Sequence, residues 1–166
     1  MKPESGSLII ETSGPDESIE AGALLGRRLR GGEVIAMTGD LGAGKTTFIR
    51  GLARGLGIPE DEISSPTFVY VHEHRGRLPL AHIDLFRAGG ADDLPGIGVL
   101  DYFTEPWTAA VEWAEKGAPY LPGDAITIRF GETGDPSRRR LEFNTARPDR
   151  ETYFGPLRER FCVTRR

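Results

Sequence analysis

Eight residues, Gly39-Asp-Leu-Gly-Ala-Gly-Lys45-Thr46, constrain this chain more than any others. They fit the pattern G-x-x-x-x-G-K-S/T. Three glycines let the backbone curl tightly with its N–H groups facing inward, and those donors, with the start of a following helix, make an anion site. The flanks supply the order such a loop requires. Glu33-Val-Ile-Ala-Met-Thr38 reads as a short buried strand. Thr47 to Leu56 reads as a helix, with Phe48, Leu52 and Leu56 at four-residue spacing. With 22 Gly in 166 residues, a chance match is on the order of one in two hundred, and the strand–loop–helix context improves on that. The motif therefore implies an α/β fold that grips a nucleoside triphosphate through Gly39, Asp40, Leu41, Gly42, Ala43, Gly44, Lys45, Thr46 and Thr47. Lys45 would reach the β/γ-phosphates, and the Thr46 hydroxyl would sit on Mg²⁺.

Lysine usage points the same way. Only Lys2, Lys45 and Lys116 occur, against 18 Arg, so lysine is kept where a compact point charge is wanted. The length suits one domain over residues 1–166. Hydrophobic content of 38% and charged content of 28% are those of an ordinary globular protein. No apolar run approaches the ~20 residues of a membrane span, and the N-terminus lacks the apolar stretch of a signal peptide. Cys162 is the lone cysteine; no internal disulfide can form, and a cytoplasmic location is expected. Charge is uneven. Residues 1–128 carry 11 basic and 19 acidic side chains, and residues 129–166 carry 10 and 6. A basic tail is either a footprint for RNA or an acidic partner, or simply an Arg-rich surface.

Along the chain, Leu8–Ser13 is a first strand. Asp16 is the expected cap of a helix with Ile19, Ala23, Leu24 and Leu29 on one stripe, ended by Gly31-Gly32. After the phosphate loop unit, Thr67–His74 and Leu78–Asp84 read as a hairpin around Arg75-Gly-Arg77. Residues 88–105 read as a small helix and loop. Ala109–Trp113 is a short buried strand. Ala125–Phe130 alternates strictly and pairs with Arg140–Asn144, and Glu151–Phe161 is a closing helix.

Phosphate-loop hydrolysis needs an acid near the metal, a group that orients water, and a segment that senses the γ-phosphate. Asp84 and Glu112 both end apolar strands, where open α/β sheets place their sites. Either is a candidate metal-shell acid; the other would accept a hydrogen bond from water. Ser65 and Thr67, beside the rigid Pro66, are the sensor candidates, though the segment also reads as a plain turn. His72 and His74 share a strand face but lack a third ligand at suitable spacing; they are expected to be solvated or partner-facing. His82 shares a face with Asp84, so it either helps aim that carboxylate or is a core histidine. Arg138-Arg-Arg140 reads as a solvated hairpin edge; the alternative is that one arginine, Arg138 being the candidate, reaches a nucleotide phosphate or base.

Four blocks stand in order: Gly39–Phe48, Ser65-Pro-Thr-Phe68, His82-Ile-Asp-Leu-Phe-Arg87 and Val111-Glu-Trp113. On these the chain resembles the bacterial TsaE (YjeE) family, the ATPase component of tRNA N6-threonylcarbamoyladenosine biosynthesis. The matched region spans about residues 32–113, and the fuller resemblance runs from about 8 to 145, leaving the Arg-rich segment 146–166 unexplained. The resemblance implies a P-loop NTPase-type three-layer α/β sandwich whose mixed sheet includes antiparallel strands. It further implies Mg²⁺ at Thr46 and Glu112, hydrolysis dependent on Asp84, a switch at Ser65 and Thr67, and Trp113 beside the nucleotide. ATP and Mg²⁺ would be the ligands. The two subunits of the threonylcarbamoyl transferase that modifies adenosine 37 of tRNAs reading codons beginning with A would be the partners, with tRNA met through them. Two departures occur: Phe86 stands where the family usually has Tyr, and Ala114 where it commonly has Pro. Neither removes a proposed functional group. Three other readings stay beside this one. A small kinase acting on a metabolite needs an Arg-rich lid, which the middle of the chain lacks. A GTPase needs an Asn-Lys-x-Asp element, and here no Asn precedes a Lys. A nucleotide-dependent binding module, its turnover incidental, shades into the accessory ATPase.

Overall fold

The computed structural model describes residues 6–161; Cys162 and the end of the Arg-rich tail lie outside them. The chain runs β1 (Ser7–Ser13), α1 (Gly14–Gly26), β2 (Val34–Thr38), α2 (Lys45–Gly55), β3 (Val71–Arg75), β4 (Pro79–Asp84), α3 (Leu94–Ile97), β5 (Thr108–Glu112), β6 (Ile126–Glu132), β7 (Arg138–Asn144) and α4 (Gly155–Arg160). Short 3₁₀ segments fill several connections. One seven-stranded sheet has the order β1-β7-β6-β2-β5-β4-β3. Its four central strands are parallel, and β7, β1 and β3 pair antiparallel at the edges. The mixed α/β fold expected from the sequence is the fold observed.

β2, β4 and β5 are buried along nearly their whole length because both faces are covered, whereas β6 alternates and leaves Thr127 and Arg129 exposed. Ile35 and Met37 of β2 point to one core with Phe48, Leu52 and Phe143. Val34 and Ala36 point to the other, with Ile83, Val111 and Leu94. Phe48 of α2 anchors the first core between Phe130 and Phe143, its ring centroid 5.7 and 6.0 Å from theirs. α1 lies hard against α2 where glycines meet: a Cβ on Gly51 would stand 2.0 Å from the Ile19 carbonyl oxygen, and one on Gly22 2.2 Å from that of Phe48. This contact seats α2, and with it the glycine loop at its start.

Several element boundaries differ from the sequence reading. α1 begins at Gly14, not after Asp16, and ends at Gly26, ahead of Gly31-Gly32. Pro15 is tolerated because first-turn N–H groups have no helical partner, and Glu17 accepts the Ser13 N–H at 2.6 Å. β3 begins only at Val71; residues 67–70 form a turn that closes with Tyr70 N–H on the Pro66 carbonyl at 2.7 Å and leaves Tyr70 left-handed at φ 66°. The expected closing helix is a 3₁₀ segment (Pro148–Phe154) followed by α4, with Pro156 in the first turn of α4. The Arg-rich segment packs back on the body: Tyr153, Phe154, Leu157 and Phe161 join the first core, while Arg147 and Arg150 pair with Asp124 and Arg160 with Glu20. Among the described residues Arg147, Arg150 and Arg160 are thus answered within the chain, which weakens the reading of that part as a free basic footprint.

Candidate functional site

The loop between β2 and α2 sits at the C-terminal ends of the parallel strands, where the side chains at the ends of β4 and β5 converge. Gly39, Gly42 and Gly44 have φ of 146°, 76° and 100°, values that L side chains rarely adopt. A Cβ on Gly39 would stand 2.8 Å from that of Phe130, so the loop also hugs β6. The loop borders a cleft of about 360 Å³ lined by residues 41–47 together with Thr67, Asp84, Phe86, Glu112 and Trp113. That size falls within the range of small-ligand pockets. A hollow of about 390 Å³ lies on β6 and β7, but the Arg129, Arg140 and Glu142 that line it pair with one another.

Lys45, only 4% exposed, donates to the carbonyls of Gly39 and Asp40, the latter at 2.9 Å. Its ammonium lies 4.1 Å from the centre of the Trp113 ring, a cation–π distance. Burial lowers its pKa; Glu112, Glu115, Asp84 and Asp40 oppose that shift. Trp113 is left-handed at φ 57°, and this turn directly after Glu112 lets both side chains line the cleft. Phe86 packs on Trp113 with ring centroids 5.0 Å apart.

The two strand-end acids are register partners across β4 and β5, yet they hold different groups. Glu112 Oε1 accepts from Thr46 Oγ1 at 2.6 Å and from His82 Nε2 at 2.9 Å. Asp84 Oδ2 accepts from Ser65 Oγ and Thr67 Oγ1, both at 2.8 Å, and Oδ1 accepts the Phe86 N–H at 2.8 Å. Ser65 and Thr67 also touch each other at 2.7 Å. The late start of β3 has its reason here: the turn at residues 67–70 directs Thr67 at Asp84 instead of along the sheet edge.

The expected site residues Gly39–Thr47, Ser65, Thr67, Asp84, Glu112 and Trp113 thus gather in one place. Arg138 does not join them: it bonds Ser13 and Glu11 of β1 and is absent from the cleft lining. His82 bonds Glu112 and not Asp84. His74 is buried, not solvated, with its Nδ1 3.9 Å from Glu62; burial, then His82 and His72, lower its pKa. Sequence reasoning left Phe86 without a role. Its only signal was an apolar ring two residues past the strand-end acid Asp84; in the structure that ring stays 43% exposed.

A Gly-rich loop between a parallel strand and a helix, with two carboxylates on the neighbouring strands, defines a P-loop-type α/β protein. Comparison with known proteins narrows this. Residues 12–141 match the family model described as threonylcarbamoyl adenosine biosynthesis protein TsaE. The tRNA threonylcarbamoyladenosine biosynthesis protein TsaE of Treponema pallidum is 40% identical over 70% of this chain and 86% of its own length. Those of Nostoc and Bacillus subtilis are each 38% identical, over 78% and 76% of this chain and 82% and 79% of their own. The crystal structure of Bacillus subtilis YdiB superposes with a TM-score of 0.73 at 31% identity, covering 92% of this chain and 95% of that one. The chain belongs to the TsaE family of tRNA threonylcarbamoyladenosine biosynthesis proteins.

Proposed function

We propose that residues 1–166 act as a single Mg²⁺-dependent ATPase domain, in the cytoplasm, that resets the two-subunit threonylcarbamoyl transferase complex while it modifies adenosine 37 of tRNAs reading codons that begin with A. The observation that carries this reading is the division of labour between two adjacent acids: Glu112 holds the hydroxyl of the phosphate loop, and Asp84 holds both hydroxyls of the switch segment.

Loop N–H groups and Lys45 would hold the phosphates, with Lys45 exchanging the Gly39 and Asp40 carbonyls for phosphate oxygens. Thr46 and Glu112 offer the hard oxygen donors that suit Mg²⁺, and they would hold the ion. Once bound, it would neutralise charge on the phosphates. Asp84 would orient the water whose oxygen joins the γ-phosphorus as the bond to ADP breaks. Ser65 and Thr67 would leave Asp84 for the γ-phosphate or the metal, so the turn at residues 64–70 would follow the state of the nucleotide. Arginines of the β6–β7 edge have no part in this scheme.

Docking of partners near the cleft is supported by apolar side chains left in the open: Leu41, which lines the cleft, and Phe68, next to Thr67, are 80% and 82% exposed. Such side chains gathered at a site are what a partner covers. No helix among the described residues is long and apolar enough to cross a membrane. The test is reconstitution. The purified chain should hydrolyse ATP sluggishly alone and should support multiple turnovers of tRNA modification when both transferase subunits are added. Phosphate transfer to a metabolite with no partner present would replace this reading with a small kinase.

A further inference from the structure

We propose that His82 is a positioning residue that fixes the Glu112 carboxylate for metal binding; this rests on the Mg²⁺-nucleotide reading above. His82 has no exposed surface. It lies two residues before Asp84 on β4, and its Nε2 stands 2.9 Å from Glu112 Oε1. The Thr46 hydroxyl meets the same oxygen at 2.6 Å. An ionised carboxylate only accepts, so both partners donate and Nε2 carries the imidazole proton. Two donors from different elements converge on one carboxylate oxygen. They fix the plane of the carboxylate and leave Oε2 as the oxygen without a protein donor among the described residues.

The remaining nitrogen makes the case for function over packing. His82 Nδ1 is buried with no partner among the described residues. A buried acceptor without a donor is a cost that a leucine of similar size would avoid. The strand keeps that cost, and among the described residues the ring's hydrogen bond is the one to Glu112. Asp84 does not need the ring, because three other donors already hold it. Hydrogen bonds of this kind orient metal-binding side chains elsewhere, and their loss weakens metal affinity about 10- to 100-fold.

The test compares His82→Leu with His82→Gln, whose side-chain amide can still donate from near the Nε2 position. Calorimetry of ADP binding across a Mg²⁺ series, and in EDTA, separates the metal from the nucleotide. His82→Leu should need about 10- to 100-fold more Mg²⁺ while its ADP affinity in EDTA stays unchanged. His82→Gln should recover most of that loss. A merely structural histidine predicts lowered melting temperatures in both variants with wild-type Mg²⁺ dependence, and that result overturns the inference. So does a His82→Gln protein that binds Mg²⁺ as poorly as His82→Leu. If His82→Leu fails to fold, nitrogen NMR of the wild-type ring decides: an Nε2–H tautomer supports the role and an Nδ1–H tautomer overturns it. A wild-type chain whose ADP binding ignores Mg²⁺ removes the ATPase reading and this inference together. Normal wild-type dependence with an unaffected His82→Leu removes the inference alone.

Discussion

Replacing Asp84 with alanine separates its chemical role from its structural one. The carboxylate accepts three hydrogen bonds and is nearly buried. Bonds to a charged acceptor contribute roughly 1.5–3 kcal/mol each, but three such terms do not add here. Ser65 is exposed and Thr67 half-exposed, so water replaces Asp84 for both hydroxyls. Removing the carboxylate also removes its own desolvation penalty. What is left is the partly buried Phe86 N–H, whose lost acceptor costs about 1–3 kcal/mol. At roughly 2–4 °C per kcal/mol for a chain of this size, the melting temperature should fall by about 2–12 °C. Two further readouts make the result specific. Amide exchange should accelerate across residues 64–70, which lose their anchor, while β4 and β5 stay protected. ATP turnover should fall about 10²- to 10⁴-fold, with ATP affinity retained. Full-rate hydrolysis would reduce Asp84 to a structural residue. Unchanged exchange at 64–70 would show that the turn does not depend on Asp84, and the switch reading would go with it.

Lys45→Ala should abolish nucleotide binding in an equilibrium fluorescence titration; unchanged ATP affinity would remove the phosphate-loop reading. Gly51→Ala should destabilise the fold by about 3 kcal/mol or more in urea unfolding, since its Cβ would overlap a backbone oxygen that cannot step aside; a loss under about 1 kcal/mol would mean that α1 and α2 slide apart easily. His74 has its folded pKa lowered below 6.5, chiefly by burial. The unfolded chain therefore binds more protons once the pH drops below 6.5, and the stability this group contributes is lost as pH falls from there through the folded pKa. Urea midpoints at pH 7.5 and 5.5 should accordingly fall further for the wild type than for His74→Leu; parallel losses would refute the assignment.

Residues close in sequence were legible. The glycine loop, its buried strand and its helix lie within a span of about 25 residues, and their roles follow from backbone geometry and apolar spacing alone. Glu112 and Asp84 were legible as strand-end acids because two of them follow the phosphate loop; either alone would read as a capping or hairpin-end carboxylate. The family, too, was recognisable from four ordered blocks. Partnerships were another matter. Thr46 and Glu112 are 66 residues apart and meet only because β5 enters the sheet beside β2. Ser65 and Thr67 reach Asp84 only because the chain turns at residues 67–70 before joining β3, against the strand that the run Thr67–His74 suggested. Local propensity favoured extension there, and hydrogen bonds to a distant carboxylate prevailed. His82 shares a strand face with Asp84, and the sequence left it between aiming that carboxylate and sitting in the core; it is fully buried, and because β4 sits next to β5 the ring is answered across that seam by Glu112. Arg138 was legible as part of a hairpin edge, with a nucleotide contact as the alternative; β1 pairing with β7 brought Glu11 and Ser13 to it instead. Sequence thus determined which groups exist and which loop grips phosphate, since those depend on residue type and local geometry. Tertiary structure alone decided which donor meets which acid, since that depends on strand order and on where the chain turns.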